Sequence, residues 1–152
     1  MSSELKDRIQ SEMKAALLGG DRFVGETLRN LKAAILDEEV ATGARDMGLP
    51  DDAIERVVAR EVKKRTESAR LYRDNGRDDL ADPEEREIEI LNRYLPQQMD
   101  ETALRVLVAQ KITELGATNP QMMGQVIGAV KKEVGNAADG ALVARIVKEL
   151  LT

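Results

Sequence analysis

The sequence predicts an all-α protein, and three observations carry that prediction. Apolar residues recur with the 3.6-residue period along the whole chain, and no two-residue alternation is sustained. Aromatic side chains are nearly absent, Phe23, Tyr72 and Tyr94 being the full set, so the core must be aliphatic, which suits helix-on-helix packing better than sheets. Gly, Pro, Asn and Asp fall at the ends of the apolar stripes, where caps and stops belong.

The first stripe is Leu5, Ile9, Met13, Ala16 and Leu17, on a helix over residues 3–18 closed by Gly19-Gly20. Asp21 is placed to cap a second helix with Val24, Leu28, Leu31 and Ile35, which reaches about Val40 before Thr42-Gly43. Pro50-Asp51-Asp52 opens a long third helix, with Ile54, Val58, Glu61, Arg65, Ala69 and Tyr72 on one line and a stop near Asn75-Gly76. Its length is roughly 36 Å at the usual helical rise. Asp82-Pro83-Glu84-Glu85 reads as an N-cap, a proline at the first helical position and a capping-box glutamate. The stripe Ile88, Leu91 and Leu95 follows, and Pro96 marks its end.

Leu95-Pro96-Gln97-Gln98 is the expected boundary between a helical N-terminal domain, residues 1–95, and a small three-helix C-terminal bundle, residues 96–152. Asp100 caps the first bundle helix (Leu104, Leu107, Val108, Ile112, Leu115), which Gly116 closes. Asn119-Pro120 starts the second (Met123, Val126, Ile127, Val130, Val134), closed by Gly135. Asp139 caps the third, with Val143, Ile146, Val147 and Leu150. A bundle of this size is marginally stable by itself.

Charge and residue types narrow the function classes. The net charge is −5, with 17 basic and 22 acidic groups in residues 1–99 and 6 of each in residues 100–152. That balance is unlike an independent nucleic-acid binder, so no DNA binding is expected and any RNA contact must use a local basic patch. Cysteine and histidine are both absent. Disulfides, thiolate zinc sites, thiol catalysis and histidine triads are thereby excluded, and no catalytic residue, metal site or cofactor is expected. The acidic runs Asp37-Glu38-Glu39, Asp78-Asp79 and Glu84-Glu85-Arg86-Glu87 read as solvated faces, loops or helix N-termini. Neither an 18-residue apolar run nor an apolar signal region is present, so neither membrane insertion nor secretion is indicated and a cytoplasmic location is the default expectation.

Two features exceed this background. On the helix after Asn119, Gly124 and Gly128 flank the apolar stripe, in line with Lys132 and beside Lys131. Two glycines inside a helix cost about 1 kcal/mol each relative to alanine, so the bare backbone implies close approach, either of another helix or of a partner macromolecule, RNA or protein. Arg145 and Lys148 point away from the stripe of the last helix and join the lysine pair in a small positive surface suited to phosphates. On the long helix, Arg56, Arg60, Lys63 and Arg70 occupy the outer face with Glu67 among them, a mixed-charge solvated surface. Glu61 and Arg65 lie inside its apolar stripe at i,i+4, as a partly shielded ion pair.

Four segments in order resemble the GatB/YqeY family. They are Leu28-Arg29-Asn30-Leu31-Lys32-Ala33-Ala34-Ile35, Glu61-Val62-Lys63-Lys64-Arg65, Tyr94-Leu95-Pro96-Gln97-Gln98, and Met123-Gly124-Gln125-Val126-Ile127-Gly128 with Gly135 and Ala138-Asp139-Gly140 after it. The resemblance implies a helical N-terminal domain and a tail similar to that of the B subunit of the glutamine-dependent amidotransferase acting on misacylated tRNA. In that subunit the tail contacts tRNA, while phosphorylation and ammonia chemistry lie elsewhere. The implied function is a tRNA-binding or tRNA-associated accessory module, not catalytic alone; any carbon–nitrogen ligase role would need partner subunits. Gly124, Gly128, Lys131, Lys132, Gly140, Arg145 and Lys148 are its candidate tRNA-binding residues, Gly140 keeping the last helix N-terminus open to a phosphate. The alternative is a protein-interaction adaptor whose partner sits on the Gly124/Gly128 ridge.

Overall fold

The computed structural model describes residues 3–152 and is all-α, with no strand among them. Backbone contacts divide the chain into two compact units, Met1–Leu95 and Pro96–Thr152, each with its own aliphatic core.

The first unit holds α1 (Glu4–Leu18), α2 (Arg22–Ala41), α3 (Asp51–Asp74) and α4 (Asp78–Asn92). Ser3 caps α1 through a bond from Lys6 N, and Asp21 caps α2 through one from Val24 N. Ile9, Met13, Leu28, Leu31 and Ile35 meet Ile54 and Val58 in the core. Val57, Ile90, Tyr94 and the loop residue Leu49 are buried there too, although none lies on an expected stripe. Gly76, at φ 72°, ends α3 where a side chain would be strained and lets the chain reverse into α4.

The start of α4 corrects the sequence reading. The helix begins at Asp78, not after Asp82, and Pro83 lies inside it. Arg73 accounts for the difference: its Nη2 donates to Asp82 Oδ1 at 2.8 Å and its fork takes both oxygens of Glu85, at 2.9 and 2.7 Å. Asp82 is thus held against α3 instead of capping, and fully buried Ala81 fixes the preceding turn. The other end also differs, since α4 stops at Asn92 and Leu95 sits in the turn that follows.

A second correction concerns the acidic run of α2. Glu39 is 1% exposed, not solvated. Lys6 Nζ donates to its oxygens at 3.0 and 2.8 Å, and Leu49 N donates to Oε2 at 3.1 Å. One carboxylate therefore binds α1, α2 and the loop before α3. Glu61 and Arg65 do pair, at 3.7 Å, but the shorter bond of Arg65 is to Glu87 on α4, at 2.6 Å.

The second unit holds α5 (Glu101–Leu115), α6 (Met123–Val134) and α7 (Gly140–Leu151). Asp100 caps α5 by accepting from Ala103 N, and Gly116 closes it in the left-handed conformation. Asn119 accepts from Gln121 N and starts a single 3₁₀ turn, Pro120–Met122, that leads into α6. Leu104, Val108, Val126, Val130, Val143, Ile146 and Val147 form the core. Leu115 and Leu150, expected on the apolar stripes, are 41% and 42% exposed, and their places against the core are taken by Ala117 and Leu151. Among the described residues no helix is long and apolar enough to cross a membrane.

Candidate functional site

The outer surface of α6 is set by the inward pull of Val126 and Val130, both fully buried. At 100° per residue Gly124, Gly128 and Lys132 fall on the opposite side, and all three are exposed. A Cβ added at either glycine would meet nothing within 4 Å. Within the second unit, then, no described residue packs on this ridge. Its propensity cost is not offset by any contact among the described residues.

The basic residues of α6 and α7 differ in what they meet. Lys132 and Lys148 are exposed and pair with no carboxylate among the described residues. Lys131 leaves the α6 flank and runs to the start of α7, where its Cε and Nζ lie 3.2 Å from the position of a Gly140 Cβ. Gly140 accommodates that side chain, which brings an ammonium beside the first turn of α7. Asp139 occupies the N-cap position of α7, with its carbonyl accepting from Val143 N at 3.0 Å, but its side chain makes no capping bond.

Arg145 departs furthest from expectation. Its Nη2 donates to Glu101 Oε1 at 2.9 Å, and its Nε lies 4.0 Å from Glu149. Neighbouring Arg105 donates to the same Glu101 oxygen at 3.2 Å and to Glu149 Oε2 at 2.6 Å, which holds the Glu149 carboxyl below its ordinary range. Sequence spacing could have signalled this, because Glu101/Arg105 and Arg145/Glu149 are both i,i+4 pairs of opposite polarity. The cross-helix match needs the bundle.

The basic side chains on the outer face of α3 are likewise compensated. Arg56 pairs with Asp52, Arg60 with Glu38, and Arg70 with Glu67 and Asp74. At the far end of that helix Arg73 is raised above its ordinary range by Glu85 and Asp82, and it holds Glu85 low in return. Among the described residues no group of three or more His, Cys, Asp or Glu is arranged to hold a metal ion.

Comparison with known proteins adds two findings. The model of the family described as Yqey-like protein matches residues 6–151. The chain is also similar to curated fungal proteins named "Altered inheritance of mitochondria protein 41, mitochondrial". It is 30% identical to that of Lachancea thermotolerans, over 86% of this chain and 68% of the relative. It is 26% identical to that of Clavispora lusitaniae, over 87% and 75%.

Proposed function

From the premise that this chain belongs to the Yqey-like protein family, we propose that it is a tRNA-binding or tRNA-associated accessory module, not catalytic alone, whose contact surface lies on the C-terminal unit. The observation that carries this reading is the outer side of α6. There Gly124 and Gly128 leave backbone uncovered, and exposed Lys132 stands on the same side without a carboxylate partner. Close approach combined with local positive charge is what a phosphate backbone needs from a chain whose net charge is −5. Relation to the amidotransferase tail supports tRNA as the RNA class, and amide formation would then belong to partner subunits.

The test is an electrophoretic shift with total tRNA at two salt concentrations. The parent should bind at low salt and release as salt rises. Exchanging Lys131 and Lys132 together for glutamate should weaken binding and flatten the salt dependence without unfolding the bundle. Equal binding by that variant at low salt would remove the site from α6. Incubation with glutamine, ATP and Glu-tRNA or Asp-tRNA should yield no amide from this protein alone; turnover that scales with it would overturn the accessory role.

The same open ridge favours one further reading, a protein-interaction adaptor receiving a helix at Gly124 and Gly128. Nuclease-resistant retention of a protein partner would select it. A cytoplasmic location is likewise a proposal, and the mitochondrial names of the relatives make an organelle interior its competitor. Cell fractionation separates the two.

A further inference from the structure

Four charged side chains close a ring on one edge of the C-terminal unit. Glu101 and Arg105 stand one turn apart on α5, and Arg145 and Glu149 one turn apart on α7, with the order of sign reversed. Both cross-helix bonds join residues 44 apart in sequence, so α5 and α7 run parallel and in register here. Glu101 Oε1 is the shared acceptor, receiving Arg105 Nη2 at 3.2 Å and Arg145 Nη2 at 2.9 Å. Arg105 also reaches Glu149 at 2.6 Å, and Arg145 lies 4.0 Å from it.

The four side chains are 39–56% exposed. Ion pairs this accessible add little to stability, so the ring is an exchangeable arrangement more than a structural clip. Its distinctive feature is that donors of two guanidinium groups converge on one anionic oxygen. Guanidinium donors bind phosphate oxygens as readily as carboxylate oxygens.

We infer that Arg105 and Arg145 form a further phosphate-contacting pair of this unit, in addition to the α6 surface, and that Glu101 occupies their shared position until an RNA backbone phosphate replaces it. The inference rests on the tRNA reading above and adds a regulation to it. Glu149 keeps Arg105 in place during the exchange. Glu101 sets a threshold, because a polyanion must displace a carboxylate already seated. This gives the ring a use that neutral balance otherwise hides: the arginines stay positioned, while loose polyanions gain little from them.

The experiment uses the full chain, total tRNA at low salt, and the variants Glu101→Gln, Glu114→Gln, Arg105→Gln and Arg145→Gln. Each variant is confirmed as folded by circular dichroism. Glu114 lies on the same helix and pairs with Lys111, so its change removes one negative charge away from the ring. Glu101→Gln should tighten binding about tenfold, and Glu114→Gln less than threefold. Each arginine change should weaken binding and reduce the salt slope by about one. Equal effects of the two glutamate changes, or parent-like binding by both arginine variants, would overturn the inference while leaving tRNA binding intact. A parent chain that fails to bind tRNA at any salt would overturn both.

Discussion

Lys6 on α1 and Glu39 on α2 form an ion pair at 2.8 Å in which the lysine keeps 28% of its side chain exposed and the glutamate only 2%. The asymmetry decides what each substitution does. Lys6→Met strands a carboxylate inside the first unit, whose remaining donor is the Leu49 amide. Loss of about 3 kcal/mol of unfolding free energy is expected. Adding Glu39→Gln to Lys6→Met should recover part of that loss, because the stranded charge is gone. Urea denaturation measures all three; a Lys6→Met chain within 0.5 kcal/mol (roughly) of the parent would show that the pair is dispensable.

Gly124 and Gly128 should be stabilised by replacement. Neither has a neighbour within 4 Å of a Cβ, and both lie inside α6. Gly→Ala at each should add about 0.5–1 kcal/mol through helix propensity. If the bare ridge serves a partner, a bulky residue at Gly128 should leave folding intact and abolish capture of tRNA or of the protein partner. Thermal denaturation that shows destabilisation instead would mean that the ridge is already packed, in a self-associated state.

The C-terminal unit should fold alone. Its core is made only of its own residues, Leu104, Val108, Val126, Val130, Val143, Ile146 and Val147 among them, and a chain this short has little margin. A fragment of residues 96–152 should give dispersed amide resonances and a low unfolding midpoint. Collapsed, undispersed spectra would mean that the two compact units are not separate domains.

Tyr94 supplies a test at alkaline pH. It is 4% exposed, and its hydroxyl donates to Glu12 Oε1 at 2.9 Å, while Arg8 lies over its ring at 4.7 Å. Burial first, and then the bond and charge of Glu12, push the phenol up to about 12. An unfolded tyrosine loses its proton near pH 10. The stabilising proton is thus fully present below pH 10, and stability falls as the pH rises from there through the folded value, by about 2.7 kcal/mol at most. In a Tyr72→Phe background the tyrosinate absorbance reports Tyr94 alone. Its midpoint should lie near 12 and fall in a Glu12→Gln variant; ionisation near pH 10 in the folded chain would contradict the buried bond.

Much of this architecture is legible along the chain. The 3.6 period needs only local spacing, so Ile9, Leu28, Leu31, Ile54, Val58, Leu104, Val126 and Val143 could be assigned to cores without a fold. Local backbone chemistry likewise marks Asp21, Asp100, Gly76 and Gly116 as caps or stops. Absence of histidine and cysteine is a matter of composition and limits chemistry whatever the fold. The tertiary structure alone decided which charges meet. Glu39 reads as one acid in a solvated run until Lys6 and the Leu49 amide converge on it, and Asp82 reads as a cap until Arg73 takes it. Arg145 reads as a free cation until α5 brings Glu101 against it, and nothing in the α7 segment places the Lys131 side chain beside Gly140. Periodicity records which side of a helix avoids water, a property of each segment by itself. Ion pairs between helices depend on register and crossing, which no single segment contains.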